Sequence, residues 1–562
     1  MTEVATNQAG NTAELELKGV NVIRGLALDG PRAANSGHQG TAMALAPLAH
    51  VLFTRILNYD AKDPSWPDRD RFILSAGHAS ILHYSMLYLT GQGLELEDLR
   101  QFRQIGSMTP GHPEAGHTAG IEVTTGPLGQ GLANGVGMAM TERYLRSSYG
   151  EDLCDHYTYV IAGDGCLSEG ISHEAASFAG HQQLGRLVVV YDDNHITIDG
   201  STDLSLSDDA PSRFASYGWD VDEIGEVAND LDALTGALER AKTTDRPSLI
   251  VLRSHIGYPS PELTDSHEAH GLAFDADHIA STKRFMGTPP QESFWVPEDV
   301  LEMYRSAGRR GRDQNEAWQK RLSDSPSQAL WRSGWEQKPT IDASAVAESF
   351  TRGEKVATRK ASQTCVTAIA DANNNLIGGS ADLTGNTGTK IDSLAQGPTT
   401  GNGRQIYFGV REHAMGSTMV GAAKHGGVVP IGGTFLVFAD YMRPPVRLAA
   451  MSEAKCVFVW THDSLGVGED GPTHQPVEQI MSLRAIPGLR VIRPGDAIET
   501  AGAWKLAMEH DGPSAMILSR QDLPILASTD AEKVSRGGYA VVEASDPDLI
   551  LIGTGSELAI CV

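Results

Sequence analysis

The chain has few cysteines and no long apolar run. Its five cysteines are an odd number and lie far apart, without a CxxC pair: Cys154, Cys166, Cys365, Cys456 and Cys561. Such a set argues against a disulfide framework and a structural zinc site, and it is typical of a reducing compartment. The N-terminus lacks a basic region followed by an apolar one, so we expect no signal peptide. No stretch reaches membrane-spanning length. We therefore expect a cytoplasmic protein.

Basic residues are also under-represented. The chain has 45 Lys and Arg against 71 Asp and Glu, a formal charge of −26. Such a surface repels nucleic acids and anionic membranes, so neither is an expected partner. An anionic substrate would need a local basic pocket. With 562 residues, 41% of them hydrophobic, the chain is long enough for two to four domains with their own cores.

Two apolar runs near the middle of the first half each end in polar residues. Tyr157–Ala162 ends at Gly163–Gly165, and Leu187–Tyr191 ends at Asp192–Asn194. The segment between them, Leu167–Leu184, has the length and alanine content of one helix. The pattern predicts a strand, a crossover helix and a second, parallel strand.

The polar residues at the two strand ends predict a ligand site. Ligands of open α/β sheets bind at the carboxyl ends of the strands. Asp164 and Asn194 offer hard oxygens that suit Mg²⁺ bound jointly with phosphates, and the glycines allow close approach of the backbone. The Gly-Asp-Gly … Asn pattern resembles the diphosphate and metal motif of thiamine diphosphate enzymes.

Three loops of the first half each set a histidine beside glycine. They carry His38, His78 and His112, and a fourth loop, residues 125–131, is rich in glycine. One such histidine alone is more typical of a structural or surface role. Three in equivalent positions indicate hydrogen bonding to phosphate or sugar hydroxyl groups.

The pattern of elements predicts an α/β protein with two main domains. We predict a first α/β domain over 1–288, a helical linker over 289–342, a second α/β domain over 343–540 and a short final segment over 541–562. Strands of the second domain are predicted at Leu376–Gly379, Ile406–Val410, Val457–Trp460, Leu489–Ile492 and Ala515–Leu518.

Three loops of the second domain carry residues suited to chemistry. Glu412 follows directly on a predicted strand, Phe435, Phe438 and Tyr441 recur at a spacing of three, and residues 461–476 hold two histidines and several acids. Taken singly, Glu412 is typical of a salt bridge at a strand end, and the aromatic set is typical of a core helix stripe.

Taken together, these stretches resemble the transketolase family. The matching runs are SGHQG, RDRFILSAGH, TPGHPE, TTGPLGQGLANGVGMA, GDGCLSEGISHEA, YDDNHITIDG, GGSADL, FGVREHAMG, GGTFLVFADYMR, THDSLGVGEDGPTHQP and LSRQDLP. They cover most of the chain. The resemblance implies two consecutive thiamine diphosphate-binding domains, each a mainly parallel sheet flanked by helices. It also implies reversible transfer of a two-carbon ketol group between sugar phosphates through the thiamine ylid, by a homodimer with composite active sites.

The resemblance also implies roles for individual residues. Metal ligands would be Asp164, Asn194 and the Ile196 carbonyl, holding Mg²⁺ or, as a substitute, Ca²⁺. Thiamine diphosphate would contact His78, Gly126, Leu128, Gly165, Glu169, Asn194, His270, Asp382, Glu412, Phe435, Phe438 and Tyr441. The sugar would contact His38, His112, His270, His462, Asp470 and His474, and Arg359 and Arg520 would bind its phosphate. Glu412, His38, His112 and His474 would be catalytic, a buried Glu412 sharing a proton with the aminopyrimidine.

The chain departs from the family pattern at three places. Gln39 stands where the family has proline, and Asn386 is the nearest substitute for a serine that touches the sugar phosphate. Residues 541–562 resemble only the first strand and helix start of the family's third domain. Two alternatives stay open: a related ketol transferase with another acceptor, as in dihydroxyacetone synthase, and a catalytically silent binding protein. The full catalytic set favours an enzyme.

Overall fold

The computed structural model describes residues 2–562, with side chains from residue 12 onward. The chain divides into two compact units. Unit 1 comprises Met1–Glu142 and Asp152–Asp324, and unit 2 comprises Arg143–Glu151 and Ser325–Val562. Among the described residues, no helix is both long and apolar enough to cross a membrane.

Unit 1 is built on a five-stranded parallel sheet. Its strands are β1 (Arg71–Leu74), β2 (Thr158–Gly163), β3 (Leu187–Asp193), β4 (Asp220–Gly225) and β5 (Ser248–Arg253), in the order β1-β2-β3-β5-β4. Every adjacent pair is parallel, and Gly163 of β2 is in register with Asp192 of β3. The loops after these strands therefore share one edge of the sheet.

Helices cover this sheet. They are α1 (Thr2–Ala34), α2 (Gly40–Ala44), α3 (Ala46–Val51), α4 (Ser80–Thr90), α5 (Leu96–Arg100), α6 (Gln130–Tyr149), α7 (Asp164–Ser168), α8 (Gly170–Gln182), α9 (Ala210–Ser216), α10 (Leu231–Arg240), α11 (Glu268–Gly271), α12 (Ala276–Phe285), α13 (Glu298–Gly308) and α14 (Arg312–Asp324). The core packs α1, α3 and α4 against β1–β3 and β5 through residues such as Leu26, Leu48, Leu82, Ile161 and Val190. Burial of these side chains is what holds the sheet edge in place.

Unit 2 contains a six-stranded parallel sheet and a small antiparallel pair. The strands are β6 (Lys355–Val356), β7 (Leu376–Ser380), β8 (Gln405–Tyr407), β9 (Val429–Phe435), β10 (Val457–Thr461), β11 (Arg490–Ile492), β12 (Ser514–Leu518) and β13 (Leu523–Pro524). The large sheet has the order β11-β12-β10-β9-β7-β8, and β6 pairs with β13. The prediction of two mainly parallel, helix-flanked sheets is confirmed.

The helices of unit 2 are α15 (Gln328–Glu336), α16 (Ala343–Glu348), α17 (Thr358–Ala372), α18 (Thr384–Thr387), α19 (Glu412–His425), α20 (Ala439–Met451), α21 (Gln479–Arg484), α22 (Ala497–Glu509) and α23 (Leu558–Cys561). The core joins α16, α17 and α22 to β9, β10 and β12 through Ile369, Ile431, Val459, Trp504 and Met516. Helix α19 packs against β9, and α20 packs against α19.

Two secondary-structure predictions were wrong. The segment predicted as one helix, Leu167–Leu184, forms α7 and α8, because the chain turns extended at Glu169. The sequence analysis missed β9, whose Pro430, Gly432 and Gly433 are rare in central strands. The Met419 sulfur lies so close to Gly432 that a Cβ there would be 2.2 Å from it, which explains why glycine is needed.

Candidate active site

Asp164 lies at the carboxyl end of β2 with one oxygen engaged and one available. Its Oδ1 accepts a hydrogen bond from the Tyr191 hydroxyl at 2.6 Å. Its Oδ2 is buried and has no hydrogen-bond partner in the described part of the chain. Burial raises the pKa of this carboxyl group. A buried, unpartnered carboxylate oxygen is costly unless it binds a cation or a donor, so this atom fits a metal ligand.

Asn194, after β3, is held in one orientation by its neighbours. Its Nδ2 donates to Asp192 Oδ2 at 2.7 Å, and its Oδ1 accepts from the Ile196 backbone N–H at 2.9 Å. The Ser254 hydroxyl, after β5, donates to the other oxygen of Asp192. Because the amide nitrogen is tied to a carboxylate, the amide oxygen is left with a free lone pair for a cation. Asp164 and Asn194 thus supply the donor set that Mg²⁺ prefers.

Four histidines cluster at the same edge of unit 1. The His38 ring centroid lies 5.2 Å from that of His78, 6.5 Å from that of His112 and 5.8 Å from that of His270. His78 and His270 stack at 5.0 Å. Burial lowers the pKa of all four, that of His38 to about 4. They are therefore neutral at pH 7 and can each donate and accept one hydrogen bond.

Arg103 and Gln39 hold the His38 loop. The Arg103 guanidinium donates to His38 Nδ1 at 3.2 Å. Since arginine only donates, Nδ1 is the acceptor and neutral His38 carries its proton on Nε2. The buried Gln39 amide donates to the backbone carbonyl of Leu272, which follows α11 and His270. The glutamine that departs from the family pattern thus joins the two histidine loops.

The glycine-rich loop lines the same edge. Gly126 has φ +136°, and a Cβ there would be 3.3 Å from the His112 ring. Leu128 lies against Gly165, where a Cβ would be 2.8 Å from the leucine Cδ1. Close backbone approach is available at both glycines. Glu169 is exposed between α7 and α8, and a Cβ on Gly129 of the loop would be 3.0 Å from the Glu169 Cβ.

In unit 2, Glu412 begins α19 and faces β9. The Thr434 hydroxyl, on β9, donates to Glu412 Oε1 at 3.3 Å. Glu412 is half-buried, whereas the sequence analysis expected a buried carboxyl group. Asp382, just after β7, is exposed and has φ +61°.

The three aromatic residues form a wall rather than a core stripe. Phe435 ends β9, Phe438 lies in the turn Leu436–Phe438, and Tyr441 is in α20. Successive ring centroids are 5.9 Å apart, with interplanar angles of 19° and 33°. Tyr441 is 61% exposed. A series of rings that runs from half-buried Phe435 and Phe438 to exposed Tyr441 suits stacking on a flat ring system.

Histidines adjoin this wall. The His462 ring centroid lies 3.8 Å from that of Phe435, and the His474 centroid lies 5.4 Å from that of Phe438. Burial, followed by the charge of Arg359, lowers the pKa of His462 to about 4. His462 is therefore a neutral group beside the rings.

Arg359 and Arg520 point toward the same region of unit 2. Burial, and then the charge of Arg520, lowers the pKa of the Arg359 guanidinium. Arg359 donates to the Asn386 backbone carbonyl at 3.0 Å and to its side-chain oxygen at 3.5 Å. Arg520 pairs with Glu469 and lies 4.0 Å from Asp470. Neighbouring guanidinium groups at a half-buried site suit an anion such as phosphate.

Several residues of these sites escaped the sequence analysis. They are Tyr191, Arg103 and Thr434, each of which hydrogen-bonds a predicted site residue, and Ser254, which acts on Asn194 through Asp192. The sequence shows an acidic run at the end of β3, but it does not show that Asp192 is the hydrogen-bond partner of Asn194. Only the placement of β3 between β2 and β5 brings Tyr191 to Asp164 and Asp192 to Ser254.

Comparisons with known proteins identify the family for both parts of the chain. Residues 15–337 match the family model described as transketolase, thiamine diphosphate binding domain, and residues 354–525 match transketolase, pyrimidine binding domain. The chain is thus a thiamine diphosphate-dependent transferase in class. A transketolase of Nostoc sp. is 48% identical over 98% of this chain and 85% of that relative. One of Mycobacterium leprae is 46% identical over 98% and 83%.

Solved structures give the same result. The transketolase of Leishmania mexicana is similar with a TM-score of 0.93 and 41% identity, over 97% of this chain and 83% of that one. A Pichia stipitis transketolase in complex with sedoheptulose-7-phosphate has a TM-score of 0.93, 42% identity and the same coverage. The chain belongs to the transketolase family.

Proposed function

We propose that this chain transfers a two-carbon ketol group from a ketose phosphate to an aldose phosphate, using thiamine diphosphate and Mg²⁺. The observation that carries the proposal is the cluster of four neutral histidines beside the Asp164 and Asn194 oxygens. A sugar presents several hydroxyl groups at once, and neutral imidazoles can hold them and move protons among them.

The cofactor assignment rests on the donors that the chain offers. Asp164 Oδ2, Asn194 Oδ1 and the Ile196 carbonyl would hold Mg²⁺, with Ca²⁺ as a substitute. His78, His270 and the backbone at Gly165 would bind the diphosphate, supported by the buried His270 Nδ1, which has no hydrogen-bond partner among the described residues. When bound, thiamine diphosphate supplies a carbon nucleophile and an electron sink for C–C cleavage.

The remaining residues act on protons and orientation. Glu412, fixed by Thr434, would hold a proton at the aminopyrimidine ring. Phe435, Phe438 and Tyr441 would stack on that ring, and Gly126 and Leu128 would lie along the thiamine. His38 would donate from Nε2 to a sugar oxygen, because Arg103 occupies its Nδ1. His112 and His474 would exchange protons with the sugar hydroxyls, and Asp470 would accept from one.

The phosphate of the sugar would be bound by Arg359, Arg520 and His462. Structures of Pichia stipitis transketolase carry sedoheptulose-7-phosphate, xylulose-5-phosphate and fructose-6-phosphate, which supports phosphorylated substrates here. Because the protein's formal charge of −26 repels anions, an anionic substrate needs a local pair of arginines.

We further propose a homodimer whose active sites combine unit 1 of one subunit with unit 2 of the other. The exposed Val410 (75%), just before Glu412 in the chain, and Tyr441 (61%) support it, because such side chains are typical of a surface that a partner covers. Mixing Asp164→Ala with Glu412→Gln protein should restore part of the activity through hybrid dimers. An active monomer by light scattering would refute the dimer.

The test of the proposed function is a two-substrate assay with xylulose 5-phosphate and ribose 5-phosphate, with and without thiamine diphosphate and Mg²⁺. Product formation that requires both cofactors supports the proposal. Replacing ribose 5-phosphate by formaldehyde distinguishes a related ketol transferase, which would prefer the smaller acceptor. Cofactor binding without turnover of any pair would overturn the proposal in favour of a silent binding protein.

A further inference from the structure

A cluster of three metal-ligating side chains lies in unit 1 away from the histidine site. Asp68 precedes β1, and Cys154 and His156 precede β2; their ligating atoms all lie within 4.8 Å of one another. His156 Nδ1 is 3.1 Å from Asp68 Oδ1 and 3.8 Å from Cys154 Sγ. The three residues are only 8%, 1% and 1% exposed, in the order Asp68, Cys154, His156.

These distances match the coordination geometry of zinc. Zinc binds imidazole nitrogen and carboxylate oxygen at about 2.0–2.2 Å and thiolate sulfur at about 2.3 Å. An ion at those lengths from Nδ1, Oδ1 and Sγ would subtend about 95° between nitrogen and oxygen and about 120° between nitrogen and sulfur. Both angles lie within about 15° of the tetrahedral value.

The charges of the surrounding groups also suit a divalent cation. The Arg71 guanidinium interacts with Asp68 and Cys154, and Asp70 interacts with Asp68. Zinc binding would deprotonate the Cys154 thiol beside these carboxylates. A divalent ion, together with Arg71 and Arg321, would offset that buried negative charge.

We propose that Asp68, Cys154 and His156 provide three ligands of a zinc site that ties together the segments entering β1 and β2. The absence of a CxxC pair argues against a zinc site formed by neighbouring cysteines. Here one ligand, Asp68, comes from a loop distant in sequence from Cys154 and His156. The site lies before the amino ends of these two parallel strands, whereas Asp164 and the four histidines follow their carboxyl ends. Its role is therefore stability of the sheet rather than chemistry on the sugar.

Cobalt substitution tests the proposal on the full chain. Adding Co²⁺ to chelator-treated protein should produce the near-ultraviolet charge-transfer band of a cobalt–thiolate bond. The band should disappear in Cys154→Ser and persist in Cys166→Ser, the matched control. Cys166 is an equally buried cysteine close to Asp164, and oxygen ligands at that second site give no thiolate band.

Zinc binding gives an independent measurement. Zinc should raise the unfolding temperature of chelator-treated protein and of Cys166→Ser. The affinity should fall at least about a hundredfold in His156→Gln, since losing even an outer-shell partner costs 10–100-fold. Asp68→Asn is nearly isosteric and keeps an acceptor for the Asp155 N–H. Zinc affinity is measured in this variant if Cys154→Ser or His156→Gln fails to fold. A wild type without the thiolate band, or a band that survives Cys154→Ser, would overturn the proposal.

Discussion

Asp192 is expected to control metal affinity although it is not itself a proposed ligand. It accepts the Asn194 amide N–H at 2.7 Å and the Ser254 hydroxyl at its other oxygen, and it is 1% exposed. In Asp192→Ala the Asn194 amide loses the contact that distinguishes its nitrogen from its oxygen. The amide can then turn its N–H₂ group toward the cation, which no metal accepts as a ligand.

The size of the effect follows from the bond that is lost. Burial raises the pKa of Asp192 to about 7, so the full effect is expected above that pH, where Asp192 is ionised. A hydrogen bond to a charged group then contributes about 1.5–3 kcal/mol, which corresponds to roughly a tenfold to hundredfold change in affinity. Loss of outer-shell partners at other metal sites has an effect of about 10–100-fold. Asp192→Asn keeps the acceptor but not its charge, so we expect about half the free-energy change. Comparison of Asp192→Ala with Asp192→Asn therefore separates the effect of amide orientation on the magnesium affinity from the effect of removing the charge.

Calorimetric titration of Mg²⁺ at saturating thiamine diphosphate measures this affinity directly. Asp70→Ala is the matched control, because Asp70 also accepts two hydrogen bonds but precedes the sheet rather than following it. It should lower the unfolding temperature without changing the magnesium affinity. If Asp192→Ala binds Mg²⁺ within twofold of wild type, or Asp70→Ala weakens it equally, the reasoning is refuted.

Three further predictions concern the proton, the phosphate and pH. Glu412→Gln should bind thiamine diphosphate with near-normal affinity by calorimetry but lose about 10²–10⁴ in kcat; a smaller loss would contradict its role as a proton-holding group. Asn386→Ser should free Arg359 from the Asn386 side chain and raise the preference for xylulose 5-phosphate over hydroxypyruvate about tenfold in kcat/KM. Arg520→Ala should lower this preference. An unchanged ratio in Arg520→Ala would disprove the phosphate pocket. The folded pKa of His38 is about 4 and its ordinary value is 6.5, so between these pH values only the unfolded chain takes up this proton. Stability should therefore fall as pH falls through that window, and less steeply in His38→Asn, as denaturant titrations at pH 7, 5.5 and 4.5 would measure. Equal slopes in the two proteins would contradict the assignment.

The sequence alone was sufficient to predict most of the parallel strands and to propose the positions of the site. Apolar runs that stop at Gly163–Gly165 and Asp192–Asn194 predict parallel strands with polar ends, and such ends must share an edge. The same reasoning failed at β9, where packing of Met419 against Gly432 outweighs the low strand propensity of glycine and proline. Local patterns carry information about local structure only.

The tertiary structure decided which groups orient the site residues. Arg103 reaches His38, Ser254 reaches Asp192, and Asp68 reaches His156 across 65, 62 and 88 residues of sequence. These partners depend on the strand order β1-β2-β3-β5-β4, which packing of the whole core selects. A hydrogen bond or a metal site needs atoms within a few ångströms of one another, and chain spacing does not determine such distances between separate loops.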